Sequence, residues 1–248
     1  MCRCFTQHYT WQEIHGPFEL TAWKPPGEIR PRYKISPAAM IDTVRLVSGQ
    51  RVFGPMRWGL IPDWWQLAEE PTNPAAFNAG LDRVATVPFF RSSFSRKHCL
   101  IPASGFYAWQ DTAAGRQPYY FARGNGCAMA IAGLWDEWRN PDTQQLTRSC
   151  TMLTGKPNQM VAEVSGRMPV VLEPAQFESW LSGEVSPELY EPFSESMLNK
   201  RPVSKRLNGS RASEADETLI EKITLPDRDF SFGAAERDSR EMERLKPQ

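Results

Sequence analysis

Cysteine stands at position two, directly after the initiator methionine. A small second residue lets that methionine be removed, leaving a cysteine that carries a free α-amine beside its thiol. The amine has a pKa of about 7.7–8.0 and the thiol one of about 8.5, so in an open terminus both are partly nucleophilic near neutral pH. Such a 1,2-aminothiol condenses with an aldehyde and closes to a five-membered thiazolidine, an adduct more durable than either group forms alone. The plain alternative is that Cys2 is merely a small residue at a frayed end.

Other chemistries find less support. The five cysteines, Cys2, Cys4, Cys99, Cys127 and Cys150, form no C-x-x-C pair, and His8, His15 and His98 do not complete a zinc set. No metal or other cofactor is expected. An odd cysteine count without a secretion signal favours reduced thiols. Lysine plus arginine equals aspartate plus glutamate, 29 each, so any nucleic-acid surface must be local and the salt dependence of binding shallow. One local patch is Arg91-Ser92-Ser93-Phe94-Ser95-Arg96-Lys97-His98, which offers cations and hydroxyl donors to phosphate or is simply a solvated face. Another is Trp64-Trp65. Neighbours on an extended segment point opposite ways, so one indole should pack inward and the other be free to stack on an unpaired base. Trp58, Trp109, Trp135 and Trp180 read as core.

These groups need elements to hold them. DTVRLVSGQRVFGPMRWGLIP reads as two strands about Ser48-Gly49-Gln50. The proline-rich stretch 16–39 reads as loop, and residues 77–90 as a short helix ending at Pro88. CLIPASGFYAW, QPYYFAR, AMAIAGLWDEW and TRSCTMLTG read as β runs, with turns at Gly115 and Gly124–Gly126. Helical spacing returns at 158–164 and 174–181, the second opening on Pro174. The fold class is α+β, with antiparallel sheets forming an open barrel-like core flanked by short helices. One domain is expected over 1–225. Residues 226–248 form a charged tail, mobile or a docked helix, because eleven charges in the last 22 residues leave little apolar surface to offset ordering. No apolar run approaches the ~20 residues of a membrane span and no signal peptide is visible, so the chain is expected to be cytoplasmic.

Several phrases, taken in order, carry a family resemblance. They are Met1-Cys2, RYKISP at Arg32–Pro37, RWGLIPDWW at Arg57–Trp65, FNA at Phe77–Ala79, FRSSF at Phe90–Phe94, CLIPASGFYAW at Cys99–Trp109, AGLW at Ala132–Trp135, RMPVVL at Arg167–Leu172 and PVS at Pro202–Ser204. The series resembles the SRAP family, the SOS-response-associated peptidases or abasic-site processing proteins, over about residues 2–210. The resemblance implies a compact barrel-like domain that sheds Met1, binds single-stranded DNA, at times beside a junction with duplex, and captures the ring-opened aldehyde of an abasic site through Cys2. It implies a monomer that needs no small-molecule cofactor and is nucleoid-associated when on DNA. The peptidase activity is removal of the terminal methionine. By position, Asn78 matches an asparagine that hydrogen-bonds near the captured sugar (on the residues alone it could equally be a helix N-cap), and Arg91 and Arg167 match phosphate contacts.

Four departures fall at the reaction centre. The family's GFYEW reads Gly105-Phe106-Tyr107-Ala108-Trp109, and its IHxRMP reads Val164-Ser165-Gly166-Arg167-Met168-Pro169. Ala108 therefore replaces a glutamate and Ser165 a histidine, the pair that moves protons in a step where a positioned acid or base contributes about 10²–10⁴-fold. NARxE becomes Asn78-Ala79-Gly80-Leu81-Asp82, and MCGRF becomes Met1-Cys2-Arg3-Cys4-Phe5. His8, His15 and Asp82 are the substitute proton carriers to consider. The resulting expectation is an abasic-site sensor that still attaches through Cys2, slowly. The alternatives are a pseudoenzyme that binds single-stranded DNA without a covalent bond, and an interaction protein working through its tail.

Overall fold

The hairpin at its centre follows from two residues. Ser48 and Gly49 both take positive φ, 51° and 76°, the two-residue turn whose twist matches that of paired strands. It joins β3 (Met40–Val47) to β4 (Gln50–Trp58), which pair from Val47↔Gln50 back to Met40↔Arg57. The computed structural model describes residues 2–22, 24–25, 27–67, 76–184 and 190–225. The tail 226–248 lies outside them.

The remaining strands are β1 (Phe5–Gln7), β2 (Arg32–Ile35), β5 (Asn78–Gly80), β6 (His98–Ala103), β7 (Gly105–Thr112), β8 (Gly115–Arg123), β9 (Met129–Arg139), β10 (Leu146–Gly155), β11 (Met168–Pro169), β12 (Val171–Leu172) and β13 (Leu198–Pro202). Four short helices flank them, α1 (Trp11–His15), α2 (Pro88–Phe94), α3 (Gln159–Ala162) and α4 (Phe177–Ser182). β4, β3, β6, β9 and β10 pair in that order, and β10 pairs back onto β4, which closes a five-stranded barrel. The α+β class with antiparallel sheets is as expected. The barrel closes rather than staying open because β10 meets β4 in parallel, Cys150 opposite Trp58, a long-range pairing with no local signal. A second antiparallel sheet runs β13-β8-β7-β1-β2.

Period-two alternation sorts the strand residues between two cores. From β6, Cys99, Ile101 and Ala103 enter the cluster that also holds Ile41, Met56, Trp58, Ile131 and Met152, while Leu100 faces the cluster under α1, α2 and α4. Trp58 and Trp180 are fully buried, as expected, whereas Trp109 and Trp135 are half-buried rather than core. No helix among the described residues is long and apolar enough to cross a membrane.

Three local expectations change. Residues 77–90 do not form a helix ending at Pro88. Asn78–Gly80 is a strand parallel to Met152–Thr154, and Pro88 opens α2 at its first turn, where a missing N–H costs nothing. The run 99–109 is two strands in two sheets, broken at Ser104, whose amide donates to Thr6 O at 2.9 Å. The proline-rich loop contains β2, which pairs with β1.

Candidate functional site

Cys2 precedes β1, whose Phe5 is held between Ile35 of β2 and Phe106 of β7. This pairing draws the N-terminal segment across the second sheet. Ala108 lies two residues past Phe106, on the same face of β7. Ser165 and Arg167 come from the turn between α3 and β11, and β11 is fixed by Met168↔Gly155. The result is a small cleft of about 40 Å³ lined by Cys2, Phe106, Ala108, Ser165, Arg116 and Arg167, among others. Three positions far apart in the chain, 2, 108 and 165, thus meet around one space.

Asn78 approaches from the barrel side. Trp58 Nε1 donates to Phe77 O at 2.8 Å and fixes the residue before it. Asn78 Nδ2 donates to Cys2 O at 2.5 Å. It is therefore no helix cap. Its Oδ1 is buried with no hydrogen-bond partner among the described residues, an acceptor that is costly to leave unmatched.

Burial alters the thiol. Cys2 is 5% exposed, and loss of water pushes its pKa up to about 12, only partly offset by the backbone at Cys4; its Sγ donates weakly to Cys4 O at 3.5 Å. The expectation of a partly ionised thiol near neutral pH is thus corrected by the fold, because desolvation penalises the thiolate. Cys4 lies in a separate apolar cluster with Tyr107 and Tyr120, and burial raises its thiol as well.

Ala108 has no proton to move. Ser165 Oγ is engaged in its own turn, donating to Arg167 O at 2.8 Å and accepting from Arg167 N at 3.3 Å. Arg167 Nη2 donates to Asp82 Oδ1 at 2.6 Å, and its Nη1 reaches Thr154 Oγ1 at 3.4 Å. The Arg167 guanidinium beside Asp82 holds that carboxyl below its usual range. Arg167 also borders a second, larger groove of about 600 Å³ that includes Leu81, Asp82, Lys156, Met168, Tyr190 and Phe193.

The remaining sequence candidates lie apart. Trp64, Trp65 and Arg91 line neither opening. Trp64 is 44% exposed and meets Phe89 edge-on, with ring centroids 6.2 Å apart. Trp65 is half-buried, and its carbonyl accepts from Trp138 Nε1 at 2.8 Å. Arg91 is exposed on α2. Lys97 is bound to buried Asp136 and to Asp63, so it is a structural cation. His8 stacks on Tyr33 and contacts Tyr120 Oη at 3.1 Å, away from the cleft, and His15 packs on Trp11. Of the substitutes considered, Asp82 alone bonds to a residue of the cleft, Arg167, and it lines the larger groove rather than the cleft. Arg116, 5.7 Å from the Trp109 ring, was missed in the sequence, because its β8 position pairs it with the cleft only through the sheet.

Comparison with known proteins shows the family and the fold. The abasic site processing protein YoqW of Bacillus subtilis is 29% identical over 89% of this chain and 99% of its own length. YobE of the same species, also an abasic site processing protein, is 31% identical over 73% of this chain and 82% of its own. A solved Bacteroides thetaiotaomicron protein shares the fold, with a TM-score of 0.77 at 20% identity over 90% of this chain and all of that one. A Bordetella bronchiseptica protein does so at 0.70, with 24% identity over 82% of this chain and all of that one. The description "SOS response associated peptidase (SRAP)" matches residues 1–210, and the chain belongs to that family.

Proposed function

We propose that this protein processes abasic sites in single-stranded DNA by attaching to them through Cys2 once Met1 is removed. The observation that carries the reading is the meeting of Cys2 with two arginines, Arg116 and Arg167, at one small cleft, with Asn78 bonded to the Cys2 carbonyl behind it. The α-amine adds to the aldehyde of the opened sugar, and the carbinolamine loses water to give a Schiff base. The Cys2 thiol then adds to the C=N carbon, and its proton passes to the nitrogen, closing the thiazolidine. The unmatched Asn78 Oδ1 supplies an acceptor beside Cys2 for the amine or a sugar hydroxyl. Arg116 and Arg167 suit phosphates on either side of the lesion. With Ala108 and Ser165 in place of a proton-transfer pair, ring opening and dehydration depend on water, and attachment is slow. The protein is consumed as the adduct.

The test is a denaturing gel of purified protein with an abasic-site oligonucleotide, alongside intact-mass measurement of the N-terminus. A denaturant-resistant band lost in Cys2→Ala supports attachment. Retained Met1, with the α-nitrogen held as an amide, rules it out.

A second reading, non-covalent binding of single-stranded DNA, draws on the depth of Cys2 and on its raised thiol pKa. A native-gel complex with no denaturant-resistant band would select it. Neither reading assigns a role to Trp64, Trp65 or Arg91 beyond a surface that a longer strand could reach.

A further inference from the structure

Arg167 is the one charged side chain shared by the thiol cleft and the larger groove, yet its guanidinium is already occupied. Asp82 takes Nη2 at 2.6 Å, and the two side chains are 54% and 33% exposed respectively. Gly80 leaves open the space that the pair fills. It lies on β5, and a Cβ built on it would fall 2.5 Å from Arg167 Nη1 and 2.7 Å from Asp82 Oδ1. A carboxylate offers a guanidinium the same forked oxygen pair that a phosphate does. Asp82 also borders the larger groove, where a strand passing the cleft would run.

We propose that Asp82 acts as an internal phosphate mimic, a positioning residue that holds Arg167 over Gly80 until a DNA phosphate displaces it. This rests on the reading of the chain as a single-stranded DNA binder. The pair is solvent-exposed, and such pairs are weak enough for a phosphate to break. In free protein the latch keeps the guanidinium aimed at the junction of cleft and groove while masking its charge. Binding therefore returns a carboxylate to solvent for each phosphate gained at Arg167, and the net release of counterions is small.

The experiment compares the parent chain, Asp82→Asn, Arg167→Ala and the double variant for binding to a short unmodified single-stranded oligonucleotide over a range of salt. Thermal unfolding of each confirms folding. Asp82→Asn should tighten binding by about two- to fivefold, the size of an exposed ion pair. It should also steepen the slope of log affinity against log salt by up to about 0.7, one single-strand phosphate contact. Both gains should vanish in the double variant. Unchanged or weaker binding by Asp82→Asn in a folded protein overturns the latch and makes Asp82 a plain support for Arg167. Failure of the parent to bind the oligonucleotide overturns the functional reading itself, and the latch with it.

Discussion

The Arg167 guanidinium occupies the place where a side chain at Gly80 would begin, 2.5 Å from the position of a Cβ there. The family pattern carries an arginine at this position, together with an acidic residue at 82 and the arginine at 167, whereas Gly80 here leaves that space to the Arg167–Asp82 pair. Restoring the arginine by Gly80→Arg should exchange one cation for another. The salt slope of DNA binding should stay unchanged, and the pair should break at a cost of about 1 kcal/mol, a fall of about 2–4 °C in Tm for a chain of this size. A slope steeper by a full phosphate contact would show that both cations fit.

Ala108 borders the cleft that holds Cys2. Ala108→Glu returns a carboxyl group to that space, beside Arg116 and Arg167. If proton transfer limits attachment, the variant should crosslink to an abasic oligonucleotide at least tenfold faster, part of the gain of about 10²–10⁴ that a fully positioned group supplies. Single-turnover gel kinetics measure it. No change in the Ala108→Glu, Ser165→His double variant would mean that another step is limiting.

Cys2 is buried with its thiol at about 12, while Cys127 is exposed. The thiolate is the form that alkylates. At pH 8 iodoacetamide should label Cys127 at least tenfold faster than Cys2, as read by peptide mass spectrometry. The Cys2 rate should still be climbing at pH 10, because its proton is lost only toward 12. A plateau near the ordinary thiol value of about 8.5 would contradict the buried placement.

Lys97 is held between Asp63 at 3.1 Å and fully buried Asp136, which also accepts from Ser93 Oγ at 3.0 Å. Burial alone would lower the Lys97 pKa, but the two carboxylates outweigh it and raise it. Removing one partner of a buried pair leaves an uncompensated charge and costs about 3–5 kcal/mol. Lys97→Met should lower the denaturant midpoint accordingly, and adding Asp136→Asn should recover part of the loss. A Lys97→Met variant as stable as the parent would remove Lys97 from the structural role.

How legible this was varied with the range of the contact. The 40–58 hairpin could be read because its turn and alternation are local. β5 could not, because three residues gain their conformation only from parallel pairing with Met152–Thr154, far along the chain. The aminothiol chemistry proposed for Cys2 starts from two residues of sequence, and the grouping of Cys2 with Ala108 and Ser165 at one cleft was approached through the family phrases. The Arg167–Asp82 pair spans 85 positions and has no sequence signal, and the raised thiol of Cys2 is a property of packing alone. The single-phrase reading of 99–109 missed that one residue, Ser104, divides the barrel from the second sheet.

His98 gives the chain an acid-sensitive point within the core. It is 3% exposed, set edge-on to Trp180 with centroids 4.5 Å apart, and its Nε2 has no partner among the described residues. Burial lowers its pKa from 6.5 to about 4, so the folded state holds it neutral. In the unfolded chain the same ring takes up a proton as pH falls through 6.5. The stabilisation is therefore fully present above 6.5 and is lost progressively toward 4. At about 1.4 kcal/mol for each tenfold change in proton affinity, the loss is about 3 kcal/mol. Other groups titrate over the same range, so the informative quantity is the difference in unfolding free energy between the parent and His98→Phe, measured from pH 7.5 to 4. That difference should shift in favour of the phenylalanine variant as pH falls below 6.5. A difference independent of pH would mean that His98 takes up its proton as readily in the fold as in the unfolded chain.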